Sequence, residues 1–313
     1  MKKRIIKVKS EEQQKRLDVF VVENSFEGVS RNLLKNAISE GNIKVNGNIK
    51  KAHYTVKIGD EIEIDLDNLK EDRNEKDILP ENIHLDILYE DEDLIVINKP
   101  AGLIVHPTPT IKSGTLVNGL LYHIEDFKSF SQNSERLGIV HRLDKETSGV
   151  LVVAKNPITL HLLSKQFKER KTKKYYLTIV EGLLKEKEGE INLPLGRHPT
   201  LRQKRAVVYN GREAITEYKV LKEFDNLASL VWIRLKTGRT HQIRVHFKYL
   251  GNPVVGDSLY GKNKIEKNYG ITADRQMLHA LKLGFYHPMK KTWVEFLAPP
   301  PSDFKNLLVE LNK

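Results

Sequence analysis

Apolar and polar positions change rhythm twice along this chain. Up to residue 66 the spacing is mixed. Arg16-Leu17-Asp18-Val19-Phe20-Val21-Val22 opens a short helical pattern. A second follows Ser30, a residue type that caps helices, with Leu33, Leu34, Ala37 and Ile38 on one face and Gly41 at the stop. Ile43-Lys44-Val45-Asn46-Gly47-Asn48-Ile49 contains the Asn-Gly pair that favours a hairpin turn. Glu61-Ile62-Glu63-Ile64-Asp65-Leu66 alternates with a period of two, which predicts a strand with one buried face. Residues 67–82 are charged and aperiodic and end at Pro80, so they are expected to be a linker. From Ile83 onward short apolar runs take over. Leu94-Ile95-Val96-Ile97 and Val150-Leu151-Val152-Val153-Ala154 are unbroken and β-branched, which predicts strands buried on both faces. Asn156-Pro157 supplies a cap and a first-turn proline for a helix whose apolar stripe is Leu160, Leu163 and Phe167, and Tyr175–Val180 is another strand. Three segments are therefore expected: a small α+β domain over 1–66, an acidic linker over 67–82 and a larger domain over 83–313.

One stretch breaks the pattern. Between Gly138-Ile139-Val140 and the strand that starts at Val150 lie nine mostly polar residues, among them His141, Arg142, Asp144, Thr147 and Ser148. A turn this polar, leading straight into a core strand, can hold Asp144 at the rim of a sheet, where binding and catalytic groups concentrate. Alternatively, Asp144 and Ser148 satisfy the turn's own backbone amides.

Charge adds a partner class. Of 313 residues, none is cysteine, which excludes a disulfide framework, a thiol nucleophile and a cysteine-ligated zinc. The start, Met1-Lys2-Lys3-Arg4-Ile5-Ile6, is too short an apolar run for a signal peptide, and no stretch of eighteen apolar residues occurs, so a cytoplasmic protein without a membrane partner is expected. Residues 1–66 hold 13 Lys and Arg against 10 Asp and Glu, residues 67–93 hold 3 against 11, and residues 94–313 hold 36 against 20, giving balances of +3, −8 and +16. A basic body behind an acidic segment points to a polyanion. Two runs concentrate that charge: Lys165 to Lys174, and Arg197-His198-Pro199-Thr200-Leu201-Arg202-Gln203-Lys204-Arg205, the latter expected to be an exposed loop. No glycine-rich phosphate loop is present, and the histidines lack the helical spacing of a metal pair; His241 and His246 read as hydrogen-bonded core residues. No metal or cofactor is expected.

The stretch His141-Arg142-Leu143-Asp144, followed by Thr147-Ser148-Gly149, resembles the signature of the RluA-type pseudouridine synthases, enzymes that isomerise uridine to its C-glycoside in RNA. Asn98-Lys99-Pro100-Ala101-Gly102, then Thr237-Gly238-Arg239-Thr240-His241-Gln242-Ile243-Arg244-Val245-His246, then Leu278-His279-Ala280 match the same family in the same order, over roughly residues 83 to 300. The resemblance implies an α+β pseudouridine synthase fold with a mixed, largely antiparallel sheet. The first domain resembles the S4-type (α-L) RNA-binding motif, which implies that Arg31 and Lys35, helped by Lys44, face structured RNA.

What the resemblance implies about the site follows from the reaction. The bond from N1 of uracil to the sugar must break, the base must turn, and C5 must bond to the same carbon. This needs a positioned carboxylate and no redox cofactor. Asp144 matches the family's catalytic carboxylate. In a water-poor pocket it stays ionised only beside a cation, and Arg244 matches that partner, able to bind through two parallel hydrogen bonds. Tyr176 corresponds to the tyrosine that stacks on the flipped uracil, Tyr175 to packing on the other strand face, and Arg142 to the arginine that fills the space the base leaves. Arg197, Arg202 and Arg239 are expected RNA contacts. Within the family the likeness is to the subtype acting on large-subunit ribosomal RNA, and a monomer is expected. Three alternatives stay open: a family member acting on transfer RNA or another ribosomal site, a non-catalytic ribosome-assembly factor, and a glycosidase pairing Asp144 with Glu146. The last is disfavoured because residues two apart on an extended segment point opposite ways.

Overall fold

The computed structural model describes residues 3–24, 31–65, 78–108, 110–125, 127, 137–201, 203–261, 265 and 269–313, and of residues 31–33 and 35 only the backbone. Ser30, residues 67–77 of the expected linker and Arg202 lie outside the described residues. The chain forms two compact units, residues 1–77 and 78–313.

In the first unit β1 (Lys3–Lys7), β3 (Glu61–Asp65) and β2 (Ile43–Val45) form an antiparallel sheet in the order β1-β3-β2, with α1 (Leu17–Glu23) and α2 (Arg31–Glu40). The period-two pattern of β3 sends Ile62 and Ile64 into a core with Leu17, Phe20, Leu34 and Ile38. The hairpin expectation needs correction. Asn46 and Gly47 do form the turn, both at positive φ (50° and 73°), and Val45 and Asn48 exchange both backbone hydrogen bonds. No second strand follows, however. The Asn46 side chain accepts from Glu61 N and donates to Asp60, tying the turn to the start of β3, so β2 pairs with β3 instead.

The second unit is built on a sheet in the order β4 (Ile87–Glu90), β5 (Leu94–Lys99), β6 (Ser148–Ala154), β13 (Leu278–Tyr286), β7 (Lys173–Glu181), β12 (Ala228–Leu235), β11 (Ile215–Phe224), β8 (Glu188–Asn192), with β14 (Trp293–Leu297) beside β13. All pairs are antiparallel except β6 with β13. The architecture is thus α+β with a mixed, largely antiparallel sheet. A short hairpin, β9 (Leu195–Arg197) and β10 (Arg205–Val207), stands apart; the basic run expected to be a loop throughout has its two ends, Arg197 and Arg205, paired in these strands.

The unbroken apolar runs have the cause the sequence suggests. In β5 and β6, Ile95, Ile97, Leu151 and Val153 pack on one side with Leu116, Val117 and Leu120 of α3 (Leu116–His123), whereas Leu94, Val96, Val150 and Val152 pack on the other with Leu163 of α4 (Pro157–Lys168). Asn156 caps α4 through Thr159 N, with Pro157 in the first turn. The β6–β13 seam brings two backbones unusually close. Gly149 has φ +115°, and a Cβ there would stand 2.2 Å from the Ala280 carbonyl oxygen. Only glycine permits this approach.

Candidate active site

The polar stretch before β6 is held from three sides. Lys99, at the end of β5 and fully buried, donates to the carbonyls of Pro100, Leu103 and Lys145 at 2.6, 2.9 and 3.1 Å, and Gly102 N also reaches Lys145 O at 3.0 Å. Burial pushes the Lys99 ammonium down to about 7, with Glu146 opposing and Arg275 reinforcing. Arg275 donates to Glu146 O at 3.0 Å while its Nε and Nη2 grip Asp303 of α6 (Ser302–Glu310) at 2.6 and 3.0 Å. Gln276 donates to Thr147 Oγ1, and Ser148 Oγ lies 2.9 Å from His279 Nδ1. His279 Nε2 faces the Ala298 carbonyl, so it carries the proton, and Ser148 must donate to Nδ1. Ser148 therefore serves the β6–β13 seam and not its own turn.

Asp144 emerges from this frame with its side chain 20% exposed and makes no bond to its own turn through its carboxylate. Oδ2 accepts from Arg244 Nη1 at 2.9 Å, and among the described residues Oδ1 has no hydrogen-bond partner. Arg244 lies on α5 (Gln242–Tyr249), whose start is fixed by Gln242: its side chain bonds Thr237, Arg239 N, Ile215 O and Thr216. The two parallel hydrogen bonds expected toward Asp144 go elsewhere. Arg244 Nε and Nη2 engage both oxygens of Asp257, at 2.7 and 2.9 Å, and Asp257 is fully buried and capped by Leu259 N and Tyr260 N. A fork fits one carboxylate face-on, and the buried one takes it. Burial works against the Arg244 charge, but the bonds and charge of Asp257, then those of Asp144, raise its pKa above the usual value.

Two aromatic groups complete the pocket. Tyr176 of β7 is 9% exposed, and burial, then the nearby Asp144 charge, push its phenol pKa up, so it is un-ionised. His241 Nε2 stands 3.8 Å from Asp144 Oδ2, beyond hydrogen-bond reach, while Nδ1 is 2.8 Å from Tyr260 Oη. Tyr260 Oη also accepts from Arg205 N, and its own proton is free to be donated to Nδ1. Burial lowers the His241 pKa, against the pull of Asp144. His246 is the buried core residue expected, bonded to Thr216 and Leu193 O; His241 is not, because it faces the carboxylate. Beyond Tyr260 a cavity of about 430 Å³ opens, lined in part by Lys204, Arg205, Lys248 and Tyr249.

The remaining expected residues scatter. Arg142 is exposed two positions before Asp144, and Arg197 is exposed at the end of β9. Arg239 is half-buried with Nε on the Glu213 carbonyl. Arg31 and Lys35 fall on α2, their side chains outside the described residues, and Lys44 is half-buried on β2. Tyr175 stacks on Trp232, as packing requires. Glu146 pairs with Lys145. Sequence reasoning missed Asp257, Tyr260 and the clamp through Arg275; the only trace of Asp257 is Gly256-Asp257, where Gly256 has φ +73°. Among the described residues Asp91, Asp93 and His287 could present three ligand atoms within 4.8 Å of one another, but Asp91 already accepts from Tyr89, His287 and Lys290. It is a neutralised brace.

The family described as RNA pseudouridylate synthase matches residues 93–249, and the S4 domain matches residues 15–62. An uncharacterized RNA pseudouridine synthase of Aquifex aeolicus is 43% identical, covering 97% of this chain and 96% of that protein. The ribosomal large subunit pseudouridine synthase D of Buchnera aphidicola is 41% identical over 95% of this chain and 94% of its own. Among solved structures, human RNA pseudouridylate synthase domain containing 1 aligns with a TM-score of 0.56 at 31% identity, over 70% of this chain and 84% of that one.

Proposed function

Since the chain belongs to the RNA pseudouridylate synthase family and is an RNA pseudouridine synthase with an S4 RNA-binding domain, we propose that it acts on uridine in structured large-subunit ribosomal RNA, with Asp144 as nucleophile. The observation that carries the mechanism is the 2.9 Å bond from Arg244 Nη1 to Asp144 Oδ2, which leaves Oδ1 without a partner among the described residues, on a carboxylate whose charge is felt at Tyr176. With the uracil turned out against Tyr176, Oδ1 attacks the sugar C1′ and the N1–C1′ bond breaks, its electron pair leaving on the base. The base turns, C5 bonds to C1′ as the carboxylate departs, the C5 hydrogen leaves as a proton to solvent, and N1, which gave up its bond to the sugar, takes up a proton. Atoms and electrons balance with no oxidant or reductant. Arg244 holds Oδ2 throughout, so the attacking group is oriented before substrate arrives. Arg142, exposed beside Asp144, fills the gap in the RNA stack.

The substrate reading draws support from relatives named for the ribosomal large subunit and from the +16 balance of residues 94–313. In this reading Arg31, Lys35 and Lys44 of the first unit select folded RNA, and Arg197, Arg202 and Arg239 contact its backbone. The test is to map pseudouridines in total RNA from cells lacking the protein. Loss of sites in large-subunit ribosomal RNA is expected; loss confined to transfer RNA would overturn the substrate assignment and leave the enzyme class intact.

A further inference from the structure

Lys174 is an anomaly of charge. It is 8% exposed, yet among the described residues it has no hydrogen-bond acceptor and no carboxylate within ion-pair distance. A cation buried this far without a partner is costly, and most are paired. Its surroundings add more positive charge. Arg170, just past the end of α4, pairs with Glu213, and Arg239 Nε bonds the Glu213 carbonyl at 2.9 Å. The single carboxylate of this group is therefore taken by Arg170, and the cations exceed it by two. Burial first, then the Arg170 and Arg239 charges, push the Lys174 ammonium down to about 8.

The ammonium is also approachable. A Cβ on Gly238 would stand 3.7 Å from Lys174 Nζ, and Gly238 is exposed at ordinary φ, so its bare backbone leaves a way in from solvent. Lys174 and Tyr176 are two residues apart on β7, hence on the same face, roughly 6.6 Å apart along the strand. That span suits a base and its own backbone phosphate. The Lys174 charge is also felt at His141, three residues before Asp144, where burial and this cation push the imidazole down to about 3.

We infer that Lys174, with Arg239 and Arg170, forms an anion site beside the catalytic pocket that takes the backbone phosphate of the nucleotide whose base faces Tyr176. This rests on the reading that Tyr176 receives the target uracil. The phosphate supplies the missing counter-charge, so the site is complete only when RNA is bound, and it measures the distance from backbone to base.

The test uses full-length wild type, Lys174→Met, Lys174→Arg and Arg239→Gln, titrated with a transcript of large-subunit ribosomal RNA at several salt concentrations. Lys174→Met and Arg239→Gln are each expected to weaken binding about tenfold and to lower the slope of log affinity against log salt by about one, with Lys174→Arg restoring both. Inorganic phosphate should raise the Tm of the wild type more than chloride at equal ionic strength, and Lys174→Met should lose most of that rise. A folded Lys174→Met with wild-type slope and phosphate response overturns the proposal. Should that variant not fold, the same result for Arg239→Gln overturns it. Tritium release by the wild type from C5-labelled ribosomal RNA is measured separately. Its absence defeats the substrate reading, while the phosphate titration still decides the anion site.

Discussion

Asp257 takes both Nε and Nη2 of Arg244, at 2.7 and 2.9 Å, from a position with no solvent exposure. The guanidinium that faces Asp144 is therefore aimed by a second carboxylate 13 residues further along the chain, and only Nη1 remains for the site. One cation between two carboxylates stays charged and cannot swing, which fixes Asp144 Oδ2 without covering Oδ1.

Asp257→Asn keeps the shape but removes the charge and one acceptor. Losing charged hydrogen bonds of about 1.5–3 kcal/mol should lower kcat about 10- to 100-fold, with RNA affinity little changed. Tritium release under saturating RNA measures it. An unchanged kcat would show that Arg244 is aimed by α5 alone.

Asp144→Asn should abolish isomerisation while leaving RNA affinity within about twofold, because the carboxylate contacts no phosphate. Filter binding beside the tritium assay separates the two. Appreciable turnover would remove Asp144 from the chemistry.

Lys99→Met leaves the Pro100 and Leu103 carbonyls without this donor, and Lys145 O with Gly102 N alone, and should destabilise the second unit by about 2–5 kcal/mol. The loss should depend on pH. Burial depresses the folded-state pKa to about 7, so from pH 7 to about 10 the unfolded chain binds a proton that the folded one has released. Wild-type stability therefore gains up to about 1.4 kcal/mol per pH unit from this group across that window, and Lys99→Met lacks the gain. Urea unfolding at pH 7 and 9, followed by emission of Trp232 and Trp293, reads it, since both tryptophans lie in the second unit. Parallel pH dependence in the two proteins would place the ammonium in water.

Deleting residues 1–77 should leave an enzyme that isomerises uridine in naked ribosomal RNA, because every residue proposed for catalysis lies in the second unit. Efficiency should fall on assembled subunits, and the salt slope of binding should flatten only slightly, the deleted residues holding 16 Lys and Arg against 15 Asp and Glu. A folded but inert truncation would put the first unit inside the active site.

Much of this was legible in the residues, for physical reasons. The runs of β5 and β6 were readable because both faces are covered, and α4 because Asn156 and Pro157 mark its start. The meeting of Asp144 and Arg244 followed from the family resemblance. Asp257 was invisible because its partner lies across a turn whose geometry no periodicity encodes, and the fork went to it because burial raises the worth of a charged bond. His241 escaped because a histidine with one ring nitrogen on a tyrosine looks, in sequence, like any core histidine. The Asn46-Gly47 signal gave the turn but not the partner, since the side chain of Asn46 redirects the pairing.

The β6–β13 seam also sets an order of events during synthesis. The turn that follows Asp144 is braced at Glu146, Thr147 and Ser148 by Arg275, Gln276 and His279, and Gly149 beds against Ala280, all about 130 residues later in the chain. The first unit closes its core within residues 8–64. Since domains emerging from the ribosome fold from the N-terminus as units, the RNA-gripping part of a growing chain is ready while the catalytic loop still lacks its frame. A nascent chain of this protein can hold RNA long before it can alter it.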